Sequence, residues 1–149
     1  MNNRDQFINT RVATALAAAA IAGNAVQVGA SIPVGNAVAI AFFLEVSAWV
    51  AGDIKIQDVQ FADDAGFTLN VDTYTSDDIL MKNDRSNDDI TAIDQTLLGG
   101  IGIRKLSIEN RALNDQAFFR VNTITANTAD LTAGVIAVIG ESVSPVVQS

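Results

Sequence analysis

Residues 36–46, NAVAIAFFLEV, constrain the fold of this chain more than any other stretch. Val38, Ile40, Phe42, Leu44 and Val46 recur at a period of two, so one face of an extended strand becomes continuously apolar. The opposite face carries Ala37, Ala39, Ala41, Phe43 and Glu45, which is also lightly polar. A helix would scatter these side chains around its axis; a strand gathers them. The pattern predicts a β domain with this strand in its core.

The rest of the chain repeats the signal in shorter runs. DIKIQDVQF places Ile54 and Ile56 on one face and then shifts phase to Val59 and Phe61, which predicts a bulge. ADDAGF supplies a turn, and FTLNV resumes alternation through Phe67, Leu69 and Val71. GIGIRKLSIEN predicts another strand with a second phase shift between Ile103 and Leu106. AFFRVNTITANTADLTAGVIAVIGE reads as a hairpin, with strands at 118–125 and 134–141 around a polar connection. The second of these, GVIAVIG, is apolar on both faces, so both sides should be covered. At least six short strands separated by turns predict an all-β fold, an antiparallel sandwich or barrel. Residues 73–96 are polar and acid-rich and read as a long loop.

Residues 1–35 are harder to place. VATALAAAAIAG (12–23) has high helix propensity with Gly23 suited to a C-cap, yet its small side chains equally suit an extended arm across a neighbour. The expected organisation is a single domain, an N-terminal arm or short helix over 1–35 followed by a β-sandwich over 36–149. The apolar run is about half the ~20 residues of a membrane span, and MNNRDQFINTR is a poor signal-peptide start because Asp5 offsets Arg4.

Composition removes several kinds of chemistry. The chain has no cysteine and no histidine, which excludes thiol nucleophiles, Ser-His-Asp catalysis and His-ligated zinc. With 17 acids against 9 bases the net charge is −8, and Arg104-Lys105 with Arg111 is too small a basic run for a phosphate track. Neither nucleic acid nor an anionic membrane is an expected partner. Only 17% of the residues are charged, which points to surface covered by other protein.

The remaining candidates are carboxylates and aromatics. Asp63-Asp64, Asp77-Asp78, Asp84 and Asp88-Asp89 could offer oxygens to calcium, but KNDRSNDDITAID lacks the sixth-position glycine and twelfth-position glutamate of an EF-hand. Strand ends and solvated turns account for them, with a looser two-loop site as the alternative. Glu45 is the sole acid within a strongly apolar strand, hence the best place for a shifted carboxyl, though a rim residue explains it equally. LGGIGI leads into a strand, not a helix, and so makes no phosphate cradle. Trp49, in what reads as a turn, is the aromatic most suited to ligand stacking. No catalytic, cofactor-binding or metal residue is assigned, and the chain is not expected to be an enzyme.

The order AIAFFLEV, KIQDVQFADDAGFT, IRKLSIEN and FFRVNTITANTADLTAGVIAVIGE resembles a family of small tailed-phage virion proteins, often encoded beside the major capsid protein. Lys55, Gln57, Asp63, Asp64, Gly66 and Thr68 match that family's middle strand and turn, Phe119, Arg120 and Val121 its late V-R-V core, and 134–140 its final strand. The resemblance spans about residues 36–141. It departs at A-D-D-A-G, one residue longer than the usual S-D-D-G, and at Gly100-Ile101-Gly102, where an aromatic is usual. It implies a β-sandwich or jelly-roll-like head decoration or cement protein on the capsid exterior, with no catalytic residues or cofactor. The major capsid protein would be its partner, and by analogy with decoration proteins at three-fold positions it would be a homo-oligomer, a trimer first. Arg120 would point outward to a neighbouring acid or subunit. The alternatives are a tail, connector or head-fibre component, and a secreted β-sandwich ligand-binding module.

Overall fold

A computed structural model describes residues 9–75, 98–109 and 116–141. Among these residues all seven elements are strands: β1 (Asn9–Ala22), β2 (Val26–Val28), β3 (Ile32–Pro33), β4 (Ala37–Ala62), β5 (Asp72–Thr75), β6 (Gly102–Glu109) and β7 (Phe118–Glu141). They form one antiparallel sheet in the order β1-β7-β4-β5, with β2 and β3 also on β7 and β6 on β4. The all-β antiparallel reading is borne out.

Two strands are far longer than the sequence suggested: β4 runs for 26 residues and β7 for 24. They pair along their whole lengths, from Ala37 opposite Glu141 to Ala62 opposite Phe118. Midway the sheet turns a corner. Ala51 pairs with Asp130 and Asp53 with Ala126, leaving Gly52 facing the unpaired 127–129 segment. Gly52 has φ +81°, and Asn127 and Thr128 have φ of 58° and 54°. A Cβ on Gly52 would lie 2.4 Å from the Ala129 Cα, so only glycine permits this approach. At the same level β1 gives way to β2 at Gly23 (φ +80°), whose N–H donates to the Ala129 carbonyl over 2.7 Å.

The corner divides the sheet into two halves that share β4 and β7. One half holds β1, β6 and the adjoining parts of the long strands; the other holds β2, β3, β5 and the remainder. Their inner faces pack on each other. Phe42, from the first half, meets Phe119, from the second, edge-on with centroids 5.9 Å apart. The Ala30 N–H donates to the Ala15 carbonyl over 2.8 Å, joining the halves along one side. Ile40, Phe42, Leu44 and Val46 are buried as their alternation required, together with Ile54, Ile56, Val59, Phe61, Val121, Val135, Ala137 and Ile139. The side chain of Val38 lies outside the described residues.

Several expectations need correction. The 118–141 stretch is not a hairpin: its two apolar runs are one bent strand, each half pairing with a different half of β4. Positive φ at two successive residues bends the strand without reversing it. The Ala-rich segment is a strand of this chain's own sheet, pairing with β7 from Asn9 opposite Glu141 to Ala22 opposite Asp130, neither a helix nor a detached arm. Ladder bonds to β7 override the helix propensity of alanine. FTLNV is not a strand, because Phe67 and Asn70 adopt φ of 55° and 49° and turn the chain; β5 starts at Asp72. The phase shift at Ile56 is real, a register shift between Ile56 and Asp58. That between Ile103 and Leu106 is not a bulge: β6 pairs without interruption from Gly102 to Glu109, so Ile103 faces out and Leu106 in. The loop read over 73–96 is strand at its start, since 73–75 belong to β5, and the remainder with its acids lies outside the described residues.

Candidate functional site

The two halves of the sheet present very different outer faces. On the second half, polar side chains between β4 and β7 satisfy one another, flanked by exposed Val26 and Val28 on β2. The Arg120 Nε donates to Gln60 Oε1 over 2.7 Å, and the guanidinium stacks 4.2 Å from the Phe67 ring centroid. Asn122 Nδ2 donates to Asp58 Oδ1 over 2.6 Å and to Gln60 Oε1 over 3.2 Å, while Gln60 Nε2 donates to Thr73 Oγ1 over 3.1 Å. Phe67, folded back at positive φ, is what covers the arginine. Arg120 does point outward as the resemblance implied, but its partners are Gln60 and Phe67 of its own chain.

On the first half, the same strands carry apolar residues outward. Cross-strand partners share a face, so the register defines three rows. Val12, Val138 and Ala41 make the first. Thr14, Ile136, Phe43 and Lys105 make the second, and Gly134, Glu45 and Ile103 the third. Val12 is 65% exposed, Ile103 56% and Ile136 44%. A depression of about 210 Å³ lies on this face between Thr14, Ala18, Glu45, Gly134 and Ile136. The only charges in these rows are Glu45 and Lys105, the latter with its Nζ 6.0 Å from the Phe43 ring centroid. An antiparallel sheet that faces water normally alternates apolar-in with polar-out. GVIAVIG was expected to be covered on both faces; its inner side chains are covered by the chain itself, and Ile136 on the outer side is left open.

β1 continues this surface. Ala17, Ala18, Ala19 and Ala20 are all exposed, so this part of the strand buries neither face and is held by its ladder to β7. Register shifts between Thr14 and Leu16 and between Leu16 and Ala19 displace it.

The other residues singled out by sequence have structural roles. Glu45 stands exposed in the middle of the apolar face, facing Gly134 on one side and Ile103 on the other, without a second acid beside it among the described residues. Trp49 lies within β4, not in a turn; 41% exposed, it donates its Nε1 proton to the Gly52 carbonyl over 2.8 Å and so braces the corner. Asp64 caps the turn after β4: Oδ1 accepts from the Thr68 and Leu69 N–H groups, each over 2.8 Å, and Oδ2 from the Thr68 hydroxyl over 2.8 Å. The Leu69 and Thr68 backbone bonds hold its carboxyl below the ordinary 3.8. Gly99 and Gly100 follow Leu98, which is buried and bridges Ile54. Arg11, which sequence reading passed over, bonds Glu141 through Nε over 2.9 Å and the Pro33 carbonyl over 2.8 Å, fastening β1 to the far end of β7.

No family model matches the chain, and no curated protein does. Among solved structures, the chain is similar to the SPBc2 prophage-derived protein YomS at a TM-score of 0.44 and 8% identity, over 88% of this chain and 92% of that one.

Proposed function

We propose that this chain is a structural component of a tailed-phage virion, a decoration or cement protein on the exterior of the head that acts with the major capsid protein. The observation that carries the reading is the contrast between the outer faces. One half of the sheet carries a polar network of its own between β4 and β7, with Val26 and Val28 exposed beside it on β2, whereas the other has an apolar centre and leaves Val12, Ile136, Val138, Phe43 and Ile103 with no covering element among the described residues. Apolar surface of this kind marks a protein-binding site. The ordered motifs over about residues 36–141 supply the phage context. A protein of this kind needs rigid sheet and contact area rather than a reactive group, and the net charge of −8 suits a position outside a DNA-filled shell.

The test is to purify particles of the virus that encodes the chain and quantify it by mass spectrometry against the major capsid protein. A fixed ratio to the capsid protein, retained in tail-less heads and sensitive to external protease, supports the reading. Absence from particles, or recovery with detached tails alone, refutes it.

A further inference from the structure

We infer that the apolar outer face of the first half is covered by the same face of a second copy of this chain, the two sheets packing face to face about a two-fold axis. The inference rests on the reading of the chain as an assembly protein and names what meets that surface.

Area is the first argument. The face spans four strands about 4.8 Å apart, and its outward positions recur about every 6.8 Å along β7 from Thr132 to Gly140. That is roughly 500 Å² of plan area, so two such faces together bring about 1,000 Å², the threshold for a specific interface. Sheets in this arrangement pack about 10 Å apart through interdigitated small and branched side chains. Thr14, Ala18, Ala41 and Gly134 keep the face flat around Ile136 and Phe43.

Charge is the second. At −8 per chain two copies repel one another unless they meet where charge is balanced. Within the three central rows the balance is local, Glu109 standing in the end row opposite Ala39: Glu45 and Lys105 occupy adjacent strands one row apart, and neither makes an ion pair with another described residue. A two-fold axis between those rows brings each Glu45 beside the Lys105 of the other copy, forming the pair twice. A face that carries both halves of its own complement fits itself, and a same-face contact is necessarily two-fold.

Equilibrium sedimentation of the whole chain tests this. The expected mass is twice the 15.7 kDa protomer at micromolar concentration. Ile136→Lys should give a monomer with an unchanged far-UV spectrum. Glu45→Lys and Lys105→Glu should each weaken association about tenfold, equivalent to about 1.4 kcal/mol, and the double reversal should restore it. A monomeric or trimeric wild type, an Ile136→Lys protein that still dimerises, or a double reversal no tighter than the single changes overturns the inference. Circular dichroism separates a misfolded variant from a dissociated one, and Val12→Asp serves in place of a variant that does not fold. The two readings fail separately. A wild-type monomer that nonetheless co-sediments with heads refutes the dimer alone; a dimer absent from particles refutes the virion role alone.

Discussion

Alanine at Gly52 probes the corner on which the whole arrangement depends, and two other glycines provide its controls. Gly52 combines φ +81° with a Cβ position 2.4 Å from the Ala129 Cα and 2.7 Å from the Ala126 carbonyl oxygen. Gly23 has nearly the same backbone, φ +80°, but nothing within 4 Å of a Cβ. Gly100 has neither the left-handed backbone nor a neighbour within 4 Å. Forcing an L side chain into the left-handed region costs about 1–2 kcal/mol. The approach at Gly52 is to backbone rather than to a flexible side chain, so β7 must move away from β4, adding about 1–3 kcal/mol as overpacking does. Gly100→Ala should therefore lie within about 0.5 kcal/mol of wild type, Gly23→Ala about 1–2 below, and Gly52→Ala about 2–5 below. Urea unfolding should be followed by far-UV circular dichroism, because the Trp49 indole bonds the Gly52 carbonyl and would report the local change. Protein concentration is held fixed, since association shifts apparent stability. If Gly52→Ala costs no more than Gly23→Ala, the close approach of β4 and β7 at the corner is wrong.

Phe42→Ala should cost about 3–5 kcal/mol in the same urea assay, because its fully buried ring bridges the halves at Phe119, and a loss under about 1 kcal/mol would remove it from the core. Deleting residues 1–22 should yield insoluble or unfolded protein, since it strips β1 from the edge of β7 and removes buried Ala15; a soluble, native-like spectrum would restore the reading of an extended arm outside the sheet. The Asp64 carboxyl should titrate below 3.8 by NMR. Its contribution to stability is accordingly present above 3.8 and lost as pH falls through the lower folded value, and a titration at or above 3.8 would break the turn-capping account. Dialysis against EDTA should leave the melting temperature unchanged, whereas a drop of several degrees reversed by calcium alone would assign the acidic segments a metal.

How far the structure was legible depended on whether a signal was local. The burial of Ile40, Phe42, Leu44 and Val46 followed from alternation alone, and the Ile56 register shift from a break in that alternation. The corner was not legible, because NTITANTAD has the composition of a reversing turn. What makes it a bend is that both flanking runs find partners on one long neighbour, β4, which is a non-local fact. The alanine run failed for the same reason: helix propensity is local, and the ladder to residues 130–136 is not. At the candidate face, GVIAVIG announced that two sides needed cover, yet only the register revealed that Val12, Phe43 and Ile103 share the uncovered one. Phe67 over Arg120 had no sequence signal, since it depends on a left-handed phenylalanine.

The absence of native cysteine offers the most direct measurement of whether that face is covered in the assembled particle. Ile136→Cys reports on the apolar face and Ala65→Cys on the exposed turn after β4, each labelled with a maleimide in intact virions and again after denaturation. The account predicts that the thiol at position 136 is protected in particles and labelled only once they are unfolded, while that at 65 reacts in both states. Equal labelling of the two in intact particles would contradict it.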